Sequence, residues 1–256
     1  MTDLHLLTEA ARRAGAIAMD FFQDADLRVR DKGDGAGPVT EADLAVDVFL
    51  REHLLNERPR HGWLSEETED TARRQVTDSQ FIVDPIDGTR AFIEGSKDWA
   101  ISIGLAHERR ITAAAVYMPA RDRLYAAEAG QGATRDGEPI TCADRTEIDG
   151  ATVLGAKPNF VPERWKDGPP PIDRHFRSSL AYRLCLVAEG RFDAMITLRP
   201  TWEWDIAAGT LIASEAGARV TDRRHRALSF NSEDAMTDGI VAANPTLHAE
   251  ITGRLA

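Results

Sequence analysis

The ten residues Phe81-Ile82-Val83-Asp84-Pro85-Ile86-Asp87-Gly88-Thr89-Arg90 constrain this chain more than any others. An apolar run suited to a buried strand ends in a carboxylate, and a second carboxylate follows three residues later beside a glycine and a hydroxyl. A turn or short helix beginning at Pro85 would bring both carboxylates to one side. Glu66-Glu67 upstream and Trp204-Asp205 downstream contribute further acids from separate segments. Such groups repel one another strongly unless cations hold them together, and hard divalent cations take oxygen ligands. The Ile86 carbonyl lies between the two aspartates as another oxygen donor. Gly88 permits close backbone approach, and the N–H groups from there onward suit phosphate oxygens. The pattern implies a divalent-metal site directed at a phosphate ester.

Each acid also has a plainer reading. Glu66 and Glu67 continue into Glu69 and Asp70, the pattern of a solvated surface. Asp205 would begin a helix over 205–216 and could serve as its cap. Asp43 could be an ordinary first-turn acid, or could join Thr89 in activating a water, since a threonine hydroxyl bound to a carboxylate can relay a proton. His61 and His175 lack metal-site spacing and read as surface or half-buried residues.

Composition narrows the function classes. With 42 acidic residues against 31 lysines and arginines, the net charge is -11, which argues against a nucleic-acid polymer as the main partner. A small anionic substrate stays compatible, because bound cations reverse the local field. No apolar run approaches a membrane span and Met1–Phe22 lacks the apolar core of a secretory signal, so no membrane role and a cytoplasmic location are expected. Cys142 and Cys185 have no metal-site spacing, and buried thiols without a disulfide are expected.

Along the chain, residues 3–22 carry apolar side chains at helical spacing, with Asp3 as the cap. Residues 31–38 have the turn chemistry of a mobile loop with three glycines. A second helix is predicted over Thr40–Glu57, with Leu44, Val48, Leu50, Leu54 and Leu55 on its apolar face. Strands follow at 81–84, 101–105, 111–117 and 124–127, with 107–110 as a hairpin connection. Residues 137–149 are the candidate boundary between an N-terminal α+β domain (1–140) and a C-terminal α/β domain (141–256). Beyond it, the pattern predicts strands at 151–154, 192–197, 220–221 and 239–243. Helices are predicted at 179–189, at 205–216 closed by Gly217, and from Pro245 onward.

Four motifs together resemble the Mg²⁺-dependent, lithium-sensitive phosphatases of the inositol monophosphatase and 3'(2'),5'-bisphosphate nucleotidase superfamily. They are Pro38-Val39-Thr40-Glu41-Ala42-Asp43, Leu64-Ser65-Glu66-Glu67, Asp84-Pro85-Ile86-Asp87-Gly88-Thr89 and Trp204-Asp205-Ile206-Ala207-Ala208-Gly209. The resemblance covers nearly the whole chain. It implies an α+β fold, a five-layer αβαβα sandwich of the inositol monophosphatase and fructose-1,6-bisphosphatase type. It implies two or three Mg²⁺ ions, held by Glu66, Asp84, the Ile86 carbonyl, Asp87 and Asp205. Thr89, helped by Asp43 or Glu66, would activate the water, and Asp87, Gly88, Thr89 and Asp205 would meet the substrate and its phosphate. The substrate would be a small phosphorylated metabolite, and many members are homodimers.

Ser65-Glu66-Glu67, Cys185 to Gly190 and Pro200-Thr201 look more like the bacterial bisphosphate nucleotidase branch, which acts on 3'-phosphoadenosine 5'-phosphate. Inositol-1-phosphate and histidinol phosphate are the alternative substrates. The Gly-Ser pair of that branch is displaced here to Arg177-Ser178-Ser179-Leu180. Arg177, Arg183 and Arg199 are either surface arginines or contacts to a second phosphate. Trp202 and Trp204 either pack on the 205–216 helix or stack on a base.

Overall fold

The computed structural model describes residues 1–33 and 37–256; Asp34, Gly35 and Ala36, the middle of the expected glycine-rich loop, lie outside the described residues. Two helices open the fold, α1 (Asp3–Phe21) and α2 (Glu41–Glu57), joined by a small antiparallel pair, β1 (Val29–Asp31) and β2 (Pro38–Thr40). Thr2, not Asp3, caps α1, its Oγ1 accepting from the His5 N–H at 3.3 Å. Asp3 stands in the first turn, where a carboxylate opposes the positive end of the helix dipole. Thr40 caps α2, and Asp43 returns a bond to the Thr40 N–H, a reciprocal capping box.

The inner face of α2 differs from the hydrophobic reading. Ala42, Val46, Leu50 and Leu54 are buried, whereas Leu44 and Val48 are 39% and 56% exposed. The reason is that Asp43 and Asp47 share the buried face. Asp47 accepts hydrogen bonds from the hydroxyls of Ser65 and Thr68, so its burial leaves no unmet polar group. A count of apolar residues therefore points the helix the wrong way.

α1 and α2 cover one face of a seven-stranded sheet. Its strands, in sheet order, are β3 (Gly62–Ser65), β4 (Ser79–Asp87), β5 (Ala100–His107), β6 (Arg110–Met118), β7 (Arg123–Glu128), β8 (Ala133–Arg135) and β9 (Glu138–Ile140). The last of these falls inside the stretch read as a boundary. β5 and β6 meet through Glu108 and Arg109, both left-handed at φ 46° and 65°, the backbone that matches hairpin twist.

A second sheet has the order β11 (Asp173–His175), β10 (Thr152–Leu154), β12 (Ala194–Thr197), β16 (Ile240–Ala243), β14 (Arg219–Thr221). Between the sheets lie α4 (Leu180–Ala188) and α5 (Glu203–Glu215), whose apolar faces merge with Ile82 and Ala100 of the first sheet and Met195, Ile240 and Ala242 of the second. The alternate residues Ala194, Ile196, Val241 and Ala243 point outward onto Leu247 and Ile251 of α6 (Pro245–Arg254). The layers are helix, sheet, helix, sheet, helix, as the resemblance implied. Cys185 is buried in the middle layer and Cys142 is half-buried; both are free thiols. A short pair, β13 (Thr201–Trp202) and β15 (Met236–Thr237), leads into α5. Among the described residues no helix is long and apolar enough to cross a membrane.

Gly209 sets the spacing of the middle layer. A Cβ there would lie 2.7 Å from both Cβ and Cδ1 of Leu184 on α4. Gly209→Val should therefore overpack the α4–α5 contact and cost about 1–3 kcal/mol, read as a lowered urea midpoint with an unchanged denaturant slope. A midpoint equal to that of the parent would show that the two helices separate freely.

Candidate active site

The expected turn at Pro85 is a strand with a bulge. β4 continues to Asp87, with Asp84 opposite Ser102 and Asp87 opposite Ala100, so three steps on β4 face two on β5. The extra residue lets Pro85 sit in a central strand and reorients the carboxylates that flank it. Gly88 then adopts φ +100°, and α3 (Thr89–Ile93) begins. A Cβ at Gly88 would be 3.1 Å from the Asp98 carbonyl and 3.4 Å from the Ser179 nitrogen, so backbone crowding also demands glycine.

Across the seam stands Asp205. α5 starts at Glu203, two residues earlier than expected, so Asp205 is the third helical residue and not the cap. The start of α5 is fixed by the buried Glu203, which the sequence reading missed. Its carboxylate accepts from the N–H groups of Asn231 and Ser232 at 2.6 and 2.9 Å and from the Ser232 hydroxyl. Oxygen atoms of Asp84, Asp87 and Asp205 all lie within 4.8 Å of one another.

The three aspartates are satisfied very differently. Asp87 is bonded to the start of α4, accepting from Ser179 Oγ and the Ala181 N–H at 2.6 Å each and from the Leu180 N–H at 3.2 Å. Asp84 accepts from the Ile86 N–H at 3.0 Å. The Asp205 carboxylate accepts no hydrogen bond among the described residues, although α5 and the sheet half-bury it. An all-oxygen donor set with an undonated carboxylate fits a hard cation.

Glu66 joins this group electrostatically, its charge raising both Asp84 and Asp205. Its surface reading fails, because Lys32 Nζ bridges Glu66 and Glu67 at 2.7 and 2.6 Å with side chains that are mostly covered. Lys32 lies beyond any motif spacing and was not anticipated. Asp43 is fully buried and meets Thr89: the Thr89 hydroxyl lies 3.2 Å from Asp43 Oδ1 and 3.2 Å from the Ile86 carbonyl. The opposite Asp43 oxygen takes the Thr40 N–H at 2.8 Å, which locks the carboxylate in place.

Around the seam, Arg183 is buried, contrary to its surface reading. Its Nε donates to the Arg177 carbonyl at 2.6 Å and its guanidinium lies 4.3 Å from the Phe176 ring centre. Burial and the neighbouring Arg199 lower its pKa to about 10, against the pull of Asp87 and Asp205. Arg177 turns to Asp98 at 3.6 Å. Trp202 is 40% exposed and stacks on Trp204, with ring centres 4.7 Å apart. His61 tilts against Phe81 and His175 pairs with Asp173, and both are half-buried.

Burial raises the four aspartates Asp43, Asp84, Asp87 and Asp205. Asp43 and Asp87 move from 3.8 to about 6, and Asp84 and Asp205 are pushed well above the usual range by burial and by their acidic neighbours. A folded-state pKa above the unfolded value means that the cation-free fold holds protons more tightly than the unfolded chain. The associated stability is full below about pH 4 and is lost as pH rises through about 6. In chelator, the urea midpoint of the parent should therefore fall relative to that of Asp87→Asn between those values. Parallel curves would contradict this, and Mg²⁺ should raise the parent midpoint more at neutral pH than in acid.

The Inositol monophosphatase family profile matches residues 2–256. The chain is 34% identical over 237 residues to an inositol-1-monophosphatase of Rhizobium meliloti, covering 86% of this chain and 85% of that one. It is 32% identical over 252 residues to a histidinol-phosphatase of Chlorobaculum parvum, covering 94% and 92%. The crystal structure of the extragenic suppressor protein suhB from Bartonella henselae superposes with a TM-score of 0.81 at 27% identity, over 97% and 96% of the two chains. With these matches running from end to end, the chain belongs to the inositol monophosphatase family and is a phosphoric monoester hydrolase.

Proposed function

We propose that the protein is a Mg²⁺-dependent phosphatase that attacks its ester directly with water, and that its substrate is 3'-phosphoadenosine 5'-phosphate. The observation that carries the reaction is the convergence of Asp84, Asp87 and Asp205 beside the Asp43–Thr89 pair. Glu66, Asp84, Asp87, Asp205 and the Ile86 carbonyl would hold the cations. When bound, they lower the pKa of the attacking water and neutralise charge on the phosphoryl oxygens.

The protein's own groups handle the proton. Thr89 donates its hydroxyl hydrogen to Asp43 Oδ1, leaving an oxygen lone pair to accept from the water and aim it. As the water oxygen bonds to phosphorus, its proton passes to Thr89 Oγ1 while the Thr89 proton passes to Asp43. The ester oxygen departs with the bonding pair and takes up a proton from solvent. Asp43, with its pKa near 6, is suited to receive and return a proton near neutrality. The first N–H groups of α3, following Gly88, are free to meet phosphate oxygens.

Substrate choice rests on Arg183. A buried cation flanked by Arg199 favours a second anionic group on the substrate, and the exposed face of Trp202 favours a flat ring. The relatives named inositol-1-monophosphatase and histidinol-phosphatase support a second reading, an ester with one phosphate.

Thr89→Val should lower kcat by about 10²–10⁴-fold with intact folding and a similar KM. Wild-type turnover would remove the proton relay from the mechanism. Initial rates on 3'-phosphoadenosine 5'-phosphate, inositol-1-phosphate and histidinol phosphate, each with a Mg²⁺ titration, decide the substrate. Arg183→Ala should reduce kcat/KM for the bisphosphate by about 10–100-fold and spare the monophosphates. A parent preference for inositol-1-phosphate or histidinol phosphate would replace the nucleotide reading and leave the phosphatase standing.

A further inference from the structure

Away from the catalytic carboxylates, three arginines line one opening on a chain whose net charge is -11. A cavity of about 280 Å³ opens against Arg164, Leu198, Arg223, Arg224, Leu255 and Ala256. Its walls are fixed. Arg223 donates to the Leu198 carbonyl at 3.0 Å and meets Asp238 at 2.8 Å. Arg224 shares Asp238 at 2.7 Å, and Arg226 pairs with Asp222 at 2.6 Å and with Asp238 at 3.7 Å. The Ala256 N–H donates to the Arg164 carbonyl and the Lys166 N–H to the Arg254 carbonyl, each at 3.0 Å, which straps residues 164–166 to the last turn of the chain.

The Arg164 guanidinium has no hydrogen bond or ion pair among the described residues. Four guanidiniums here, Arg164, Arg223, Arg224 and Arg226, face two carboxylates, Asp222 and Asp238, so positive charge is left over. Beneath them, Leu198 and Leu255 supply apolar edges that are 3% and 7% exposed.

From this arrangement we propose a second, non-catalytic binding site for a small phosphate monoester. Its phosphate is taken by Arg164 and Arg224, and its apolar part rests on Leu198 and Leu255. Guanidinium groups match phosphate in charge and geometry, and those gathered here outnumber Asp222 and Asp238, the carboxylates that pair with them. The volume lies near the lower end of small-molecule pockets, which fits a compact ester and not a polymer. None of the lining residues belongs to the catalytic group, so the site is independent of the substrate reading.

The test uses Asp205→Asn protein in chelator, which removes metal-supported phosphate binding at the catalytic seam, with phenyl phosphate and inorganic phosphate as calorimetric probes. Phenyl phosphate should bind with about millimolar affinity or better, and more tightly than inorganic phosphate because only it reaches the leucines. Arg164→Ala with Arg224→Ala should weaken it at least about tenfold, whereas lysine at both positions, which keeps the charge without the planar fork, should lose less. In the otherwise wild-type enzyme, the alanine pair should leave kcat/KM unchanged. If the pair disturbs folding, Arg164→Ala alone decides, since that guanidinium holds nothing in place. Unchanged affinity in the alanine variants, or no binding of phenyl phosphate up to about 10 mM in the parent, would overturn the site. Equal affinity for the two probes would overturn the apolar contribution.

Discussion

Repulsion among carboxylates that folding removes from water is the constraint to which the rest of this structure responds. At 4.8 Å and an effective dielectric of about 20, each ionised pair among Asp84, Asp87 and Asp205 costs roughly 3 kcal/mol. The unfolded chain bears no such cost, because the acids are then hydrated and far apart. The fold offsets it unevenly. Asp43 has the Thr40 and Thr89 hydroxyls, Asp47 has Ser65 and Thr68, and Asp87 has the first N–H groups of α4. Glu66 has Lys32. Asp205 has no donor among the described residues, so the unmet negative charge lies at the seam, where a cation gives most.

The same bonds hold the layers in register. Asp87 belongs to the first sheet, yet it terminates a helix packed between both sheets, so moving α4 would pull on the carboxylate. Glu203 fixes where α5 begins, and Gly209 fixes how near α5 lies to α4. The separation of Asp205 from Asp84 is therefore set by packing contacts within about one helical turn of Asp205. Small residues such as Gly104, where a Cβ would lie 3.3 Å from the Ala207 Cβ, let the helix come this near the sheet that carries Asp84 and Asp87.

Much of the fold was legible in linear form. The strands around 81–84, 101–105, 111–117 and 239–243 announce themselves because buried strands need apolar runs. Five of the six α-helices, all but the short α3, announce themselves by apolar spacing, and four of those five by the end residues Thr40, Ser179, Asn244 and Gly217. Most of the errors share one physical origin. Periodicity assumes that buried positions are apolar, and this protein buries Asp43, Asp47, Arg183 and Glu203 wherever another segment supplies a partner. The inner face of α2 was misread for that reason, the surface alternative for Arg183 fails, and Glu203 and Lys32 went unnoticed. The turn expected at Pro85 failed because a bulge, paired to β5, keeps the chain extended there.

Residue identity and spacing were enough to determine the chemistry in outline. Carboxylates three apart, followed by a glycine that must take a left-handed backbone and a hydroxyl, are local properties of one short segment. Tertiary structure decided which acids meet, which are hydrogen-bonded and which are left for a cation. Those outcomes depend on partners 46 residues away for Asp43 and Thr89, and 92 away for Asp87 and Ser179. No local pattern carries such distances, because they follow from how two sheets and the helices between them pack.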